Sequence, residues 1–132
     1  MFTFSTQATN VQVVNNGPLR VVNRIGTTTI YYNPEGGATF SESETFEAGV
    51  PIQVSDYQQQ VVLDTSTPFP FTTAHLNSIT CTTSFVLNGE LLRLGHEHSS
   101  FRTHYVGRAN NPGMTPSGWF AGYAVGVDRN HR

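Results

Sequence analysis

The sequence predicts an all-β fold, a single-domain antiparallel β-sandwich or jelly-roll-like barrel spanning residues 1–132. Three observations lead there. Short runs rich in Val, Ile, Thr, Tyr and Phe recur along the chain, and turns rich in Gly, Pro and Asn separate them. No window of eleven or more residues carries the i, i+3, i+4, i+7 apolar spacing of an amphipathic helix without a Gly, Pro or β-branched interruption. A chain of this length suits one core but not two, so the strands must share it.

Residues 1–10 read as an N-terminal arm. The first strand is expected at 11–14, and Asn15-Asn16-Gly17-Pro18 turns the chain into a second at 19–23. Gly26 separates that run from the strand 28–32, and Asn33-Pro34-Glu35-Gly36-Gly37 leads into 38–41. Ala48-Gly49 introduces strands 50–54 and 60–63. Residues 64–77, with Pro68 and Pro70, read as a Pro-rich crossover, because each Pro removes a ladder donor. Strands follow at 79–87 and 90–94, joined through Leu87-Asn88-Gly89-Glu90, the clearest hairpin signal in the chain, since Asn-Gly accepts positive φ at both turn positions.

A further strand at 101–106 precedes an exposed loop, 108–118, carrying Pro-Gly and Pro-Ser-Gly turn chemistry. The last strand, 119–127, alternates Trp119, Ala121, Tyr123, Val125 and Val127 with Phe120, Gly122, Ala124 and Gly126. One face is mostly large and the other small after Phe120. The small face fits beneath a neighbouring sheet or subunit, or at a twisted barrel corner.

Composition narrows the function class. Hydrophobic residues make up 37% and charged ones 12%, with Thr, Asn, Ser and Gly filling the difference. Both fractions lie below ordinary globular usage, a balance that suits a virion or extracellular protein and also many lectin-like modules. A net charge of −2 leaves no basic stripe to displace counterions from phosphates, so nucleic acid is not expected as a partner. All seven basic residues are Arg, consistent with a GC-rich genome or with bidentate contacts at subunit interfaces.

Cys81 stands alone inside a strand pattern and is expected as a buried small hydrophobe in a chain made in a reducing cytoplasm. The N-terminus shows neither the basic nor the apolar region of a signal peptide, and no apolar run is long enough for a membrane span. Synthesis in a host cytoplasm, localisation in a virion and no membrane partner are the corresponding expectations.

One stretch invites a chemical reading. Within Gly95-His96-Glu97-His98, an extended backbone would project His96 and His98 to one face, and His104 could complete a three-nitrogen metal site. The Gly followed by His-x-His is similar to the first half of a cupin motif, but Phe101 to Thr103 stand where its Glu belongs and no second half follows. His-x-His also occurs in trimeric phage spikes that hold iron at a C-terminal tip, whereas here a further strand follows. A solvated polar turn is the expected reading, with no metal and no cofactor. Phe40-Ser41-Glu42-Ser43-Glu44-Thr45-Phe46 alternates as a half-exposed strand or turn would, so Glu42, Glu44 and Glu47 are expected as a solvated acidic face; the nucleophile elbow and Lys-bearing phosphate loop are missing, and no enzyme activity is expected. A carbohydrate-binding alternative uses Trp119 and Tyr123 as stacking rings with Asn110 and Asn111 as hydrogen-bonding partners, against the plainer reading of Trp119 as core.

The segments Asn16-Gly17-Pro18-Leu19-Arg20-Val21-Val22-Asn23, Gly26-Thr27-Thr28-Thr29-Ile30-Tyr31-Tyr32 and Phe46-Glu47-Ala48-Gly49-Val50-Pro51-Ile52-Gln53-Val54 resemble small β-modules of tailed-bacteriophage structural proteins. The resemblance covers about the first half of the chain and rests on turn grammar. It implies a virion accessory, either a capsid decoration (cement) protein or a minor tail component, working as a homo-oligomer against the major capsid or tail protein. No binding residue carries over from it. Such a protein stabilises a particle by repetition, because modest contacts multiply over a lattice.

Overall fold

The computed structural model describes residues 1–66, 69–109 and 118–127. They form β1 (Phe2–Asn16), β2 (Leu19–Tyr32), a 3-10 turn (Ser43–Glu47), β3 (Val50–Asp64), β4 (Phe69–Thr82), β5 (Phe85–Leu87), β6 (Glu90–Leu92), β7 (Ser100–Ala109) and β8 (Gly118–Val127). The all-β class read from the sequence is the architecture observed. Six strands make one antiparallel sheet in the order β1-β2-β3-β4-β7-β8, and β5 with β6 makes a second, two-stranded one. Among the described residues no helix is long and apolar enough to cross a membrane.

Several strands are longer than the turn signals imply. Residues 1–10 are not an arm: from Phe2 onward they belong to β1 and pair with β2 from Phe2↔Tyr32 to Asn10↔Arg24. Phe2, Phe4, Thr6 and Ala8 alternate along one face, and aromatic and β-branched residues suit a pleated, half-buried surface. The expected strands 19–23 and 28–32 are one strand, as are 50–54 and 60–63.

Of the crossover expected at 64–77, Asp64 ends β3, residues 67 and 68 lie outside the described residues, and the stretch from Phe69 onward is most of β4. Pro70 is tolerated in β4 because it pairs only with Arg108 on the β7 side, while pairing to β3 begins one residue later at Leu63↔Phe71. The expected strand 38–41 is instead part of a long β2–β3 connection. There Thr45 Oγ1 donates to Glu42 O (2.6 Å) and accepts from Thr39 N–H (2.9 Å), local bonds that outcompete a ladder. The loop expected at 108–118 begins and ends inside β7 and β8, and residues 110–117 lie outside the described residues.

Two tight turns match their sequence signals. Gly17 (φ 57°) and Pro18 close the β1–β2 hairpin, and Asn88 (φ 52°) with Gly89 (φ 83°) closes β5–β6. Pro18 O in turn accepts from both Thr65 N–H (2.6 Å) and Thr65 Oγ1 (2.8 Å), tying the residue just past β3 to the first hairpin.

Strands of 14 or 15 residues twist and bend, helped by register shifts at Asn10/Gln12, Ile30/Tyr31 and Val54/Ser55. Phe4 on β1 and Phe101 on β7 line the same cavity of about 280 Å³. In a flat sheet those strands would stand about 19 Å apart, four spacings of 4.7–4.9 Å. The sheet is therefore curled into a trough. The chain from β5 to the start of β7 folds over one end of it: Phe85 meets Phe2 and Tyr32 with ring centroids 5.7 and 5.1 Å apart, and Gln53 Nε2 donates to Leu94 O at 2.7 Å.

The interior is small. Ile52, Tyr57 and Ile79 are the buried large apolar residues among those described, against seven buried polar ones: Thr28, Gln53, Ser55, Thr73, Asn77, Thr82 and Ser99. Cys81, expected to be buried, is exposed, because it lies at the β3–β4 register shift opposite Val54 rather than on the trough face.

Candidate functional site

The floor of the trough carries a hydrogen-bonded polar cluster. Strand pairing aligns Arg24 (β2), Gln59 (β3), His75 (β4) and Thr103 (β7) as one row across the sheet. Arg24 Nη1 donates to Gln59 Oε1 (3.3 Å), which turns the amide nitrogen of Gln59 toward His75 Nε2 (3.0 Å). That contact makes Nε2 an acceptor, so the ring proton sits on Nδ1 and is donated to Thr103 Oγ1 at 2.8 Å. Thr73 Oγ1 lies 3.0 Å from Nε2 as well. Burial favours this neutral imidazole by pushing the His75 pKa below its ordinary value.

Tyr57 and Tyr105 flank the imidazole, with centroids at 5.5 and 5.4 Å. Burial raises the Tyr57 pKa, only partly offset by the nearby Arg24 charge, so the phenol stays protonated. Ser55, another buried hydroxyl of β3, donates to Asn77 Oδ1 at 3.3 Å. Both nitrogens of His75 are thus engaged by neighbours, and the row can lock four strands in register. The cavity above it is mostly apolar, walled by Phe2, Phe4, Ile30, Phe101 and Tyr105.

The sequence reading did not find this cluster. Its signal is the alternation Phe71, Thr73, His75, Asn77, Ile79, hidden because Pro68 and Pro70 marked the whole segment as a crossover.

The histidines that did attract notice are arranged otherwise. His96 and His98 sit in a tight turn, not on an extended strand: Gly95 (φ 74°) and His98 (φ 68°) take left-handed backbone, His98 N–H donates to Ile79 O (2.9 Å) and Ser99 N–H to His96 O (3.1 Å). His104 lies on β7 against the ring of Tyr123 at 5.6 Å. Among the described residues no three His, Cys, Asp or Glu side chains sit close enough to hold a metal ion. Glu42, Glu44 and Glu47 are exposed, and Glu47 Oε1 accepts from Ser5 Oγ at 2.6 Å.

The second surface is β8. Trp119 (58% exposed), Tyr123 (57%) and Val125 (54%) stand on the outer face and Phe120 (68%) on the trough face. Trp119 is therefore not a core residue in this chain. Asn110 and Asn111 lie outside the described residues, so the structure brings only Trp119 and Tyr123 of the carbohydrate-site set onto one face. Comparison with protein-family models, curated proteins and solved structures gives no match.

Proposed function

We propose that the chain is a non-enzymatic structural subunit of a bacteriophage virion, a capsid decoration or minor tail accessory, that stabilises the particle through many repeated contacts with copies of itself and with the major capsid or tail protein. One observation carries the reading: three buried large apolar residues form the described interior, while β1 and β8, the two sheet edges, hold exposed Phe2, Phe4, Val13, Val14, Trp119, Phe120 and Tyr123. A chain that buries so little of its apolar surface gains stability by being covered, and patches of that kind mark interaction surfaces. The engagement of both His75 nitrogens supports a register-setting role for the trough floor rather than proton transfer.

The test adds purified protein to particles lacking it. Saturable incorporation, with a rise in resistance to heat or low salt, is the expected result; particles equally stable with and without it would overturn the proposal.

A second reading has its own observation. Trp119 and Tyr123 are exposed on one face and stand about 13 Å apart, four strand residues at ~3.3 Å each, a platform on which sugar rings can stack. A glycan array with a specific hit abolished by Trp119→Ala would favour carbohydrate binding.

A further inference from the structure

We infer that β8 is a self-complementary edge at which a second copy of this chain adds in antiparallel fashion, continuing the sheet across a two-fold axis. The inference deepens the reading of the chain as an assembly subunit by naming the surface and the partner. Sheet edges expose unpaired N–H and C=O groups, and soluble proteins blunt them with charge, proline or short length. β8 has none of these protections. Its ten residues, Gly118–Val127, include no charged residue and no proline, and no strand pairs with its outer side among the described residues.

The side-chain order fits its own copy. Directly opposed residues of an antiparallel pair share a face, so the two-fold must fall on a residue and not between two. With the axis at Gly122, Trp119 meets the partner's Val125, Ala121 the partner's Tyr123, Phe120 the partner's Ala124 and Gly118 the partner's Gly126. Every large ring then faces a small or β-branched residue, the pairing that sheets favour, and no charges oppose one another. Moving the axis to Tyr123 would set two tyrosine rings against each other.

The rings alone supply much of the area that an interface needs. Aromatic side chains of roughly 150–250 Å² each, a little over half exposed at Trp119, Phe120 and Tyr123, leave about 350 Å² of ring surface per protomer. Two copies supply about 700 Å² before Val125 and the backbone are counted, approaching the ~1,000 Å² of a specific interface. Isologous pairs are also the commonest closed assembly.

Charge exchange tests both the surface and the register. Trp119→Lys/Val125→Lys places like charges opposite each other twice, and Trp119→Glu/Val125→Glu does the same with the other sign. Sedimentation of the full chain should show a dimer for the wild type, association weakened about tenfold or more in each variant alone, and a dimer restored when the two variants are mixed. Circular dichroism verifies the fold, and the Ala121→Lys/Tyr123→Lys and Ala121→Glu/Tyr123→Glu pair, opposed in the same register, serves where a double variant is unfolded. A wild type that stays monomeric, variants that associate as the wild type does, or a mixture that remains apart would each overturn the inference. Pairing of β8 with β1 of another copy falls under the last outcome, because no opposite charges would then meet. Binding to particles is scored separately: a monomer that still decorates particles defeats this inference alone, and a β8 dimer that never binds particles defeats the virion reading alone.

Discussion

His75 shows how a single side chain can tie three strands together and make the fold sensitive to pH. Its folded pKa lies below the ordinary value of 6.5 because burial penalises the imidazolium. Above that pH both folded and unfolded forms are neutral and the contribution to stability is complete. As pH falls, the unfolded chain takes up a proton that the folded chain resists, so stability declines until the folded value is passed. The urea midpoint should therefore be lower at pH 5 than at pH 7.5, and the difference should shrink in His75→Gln; an equal drop in both proteins would assign the effect elsewhere. Ile52, 1% exposed, is expected to cost about 2–5 kcal/mol on truncation to Ala, read as a shift in the same midpoint. Trp119→Ala, measured below the concentration of self-association, should cost under about 1 kcal/mol, because its ring packs on little of its own chain. Ring size and strand position alone made Trp119 look like core and Cys81 look buried. What decides either case is whether another layer lies over that face, which a strand's own sequence does not encode.

At the level of elements, turns were more legible than strands. Asn88-Gly89 and Gly17-Pro18 specify their backbone by chemistry that acts within two residues, and both form as read. Gly89→Val is accordingly expected to destabilise the β5–β6 hairpin by about 1–3 kcal/mol, since a β-branched residue must adopt φ near 83° there. Faster amide exchange confined to residues 85–92 would report it even if the global midpoint moved little, and unchanged exchange would contradict it. Strand lengths were misjudged where polar residues occupy the middle of the sheet. The gaps left between the expected strands, at 24–27 and 55–59, hold Arg24 and Gln59, yet Arg24 bonds Gln59 and Gln59 bonds His75 across three strands. β4 was hidden for a related reason: proline argues against a strand only where a paired neighbour needs the donor it lacks, and Pro70 sits at the start of β4 with its β3 side unpaired.

For the whole molecule, a polar interior with apolar edges predicts that stability depends on concentration. If copies cover one another, the thermal midpoint should climb with protein concentration, and free partner at about a hundredfold its dissociation constant would add roughly 2.7 kcal/mol. A midpoint independent of concentration would mean that the isolated chain is self-sufficient. The overall class was legible because strand and turn chemistry is local, whereas the curl of the sheet, which brings β1 and β7 to one cavity, arises from accumulated twist over six strands and has no local signature.

The meander also fixes how the molecule would bear force. Phe2, Tyr32, Val50, Thr82, Ser100 and Val127 all lie toward one end of the sheet, with β1 and β8 on opposite edges. A pull applied between Phe2 and Val127 therefore runs across the strands and peels the ladder one hydrogen bond at a time. A pull directed along the strands loads the whole ladder in shear. Tension in a particle is better carried through contacts spread over the strand faces and edges than through the two ends of this sheet.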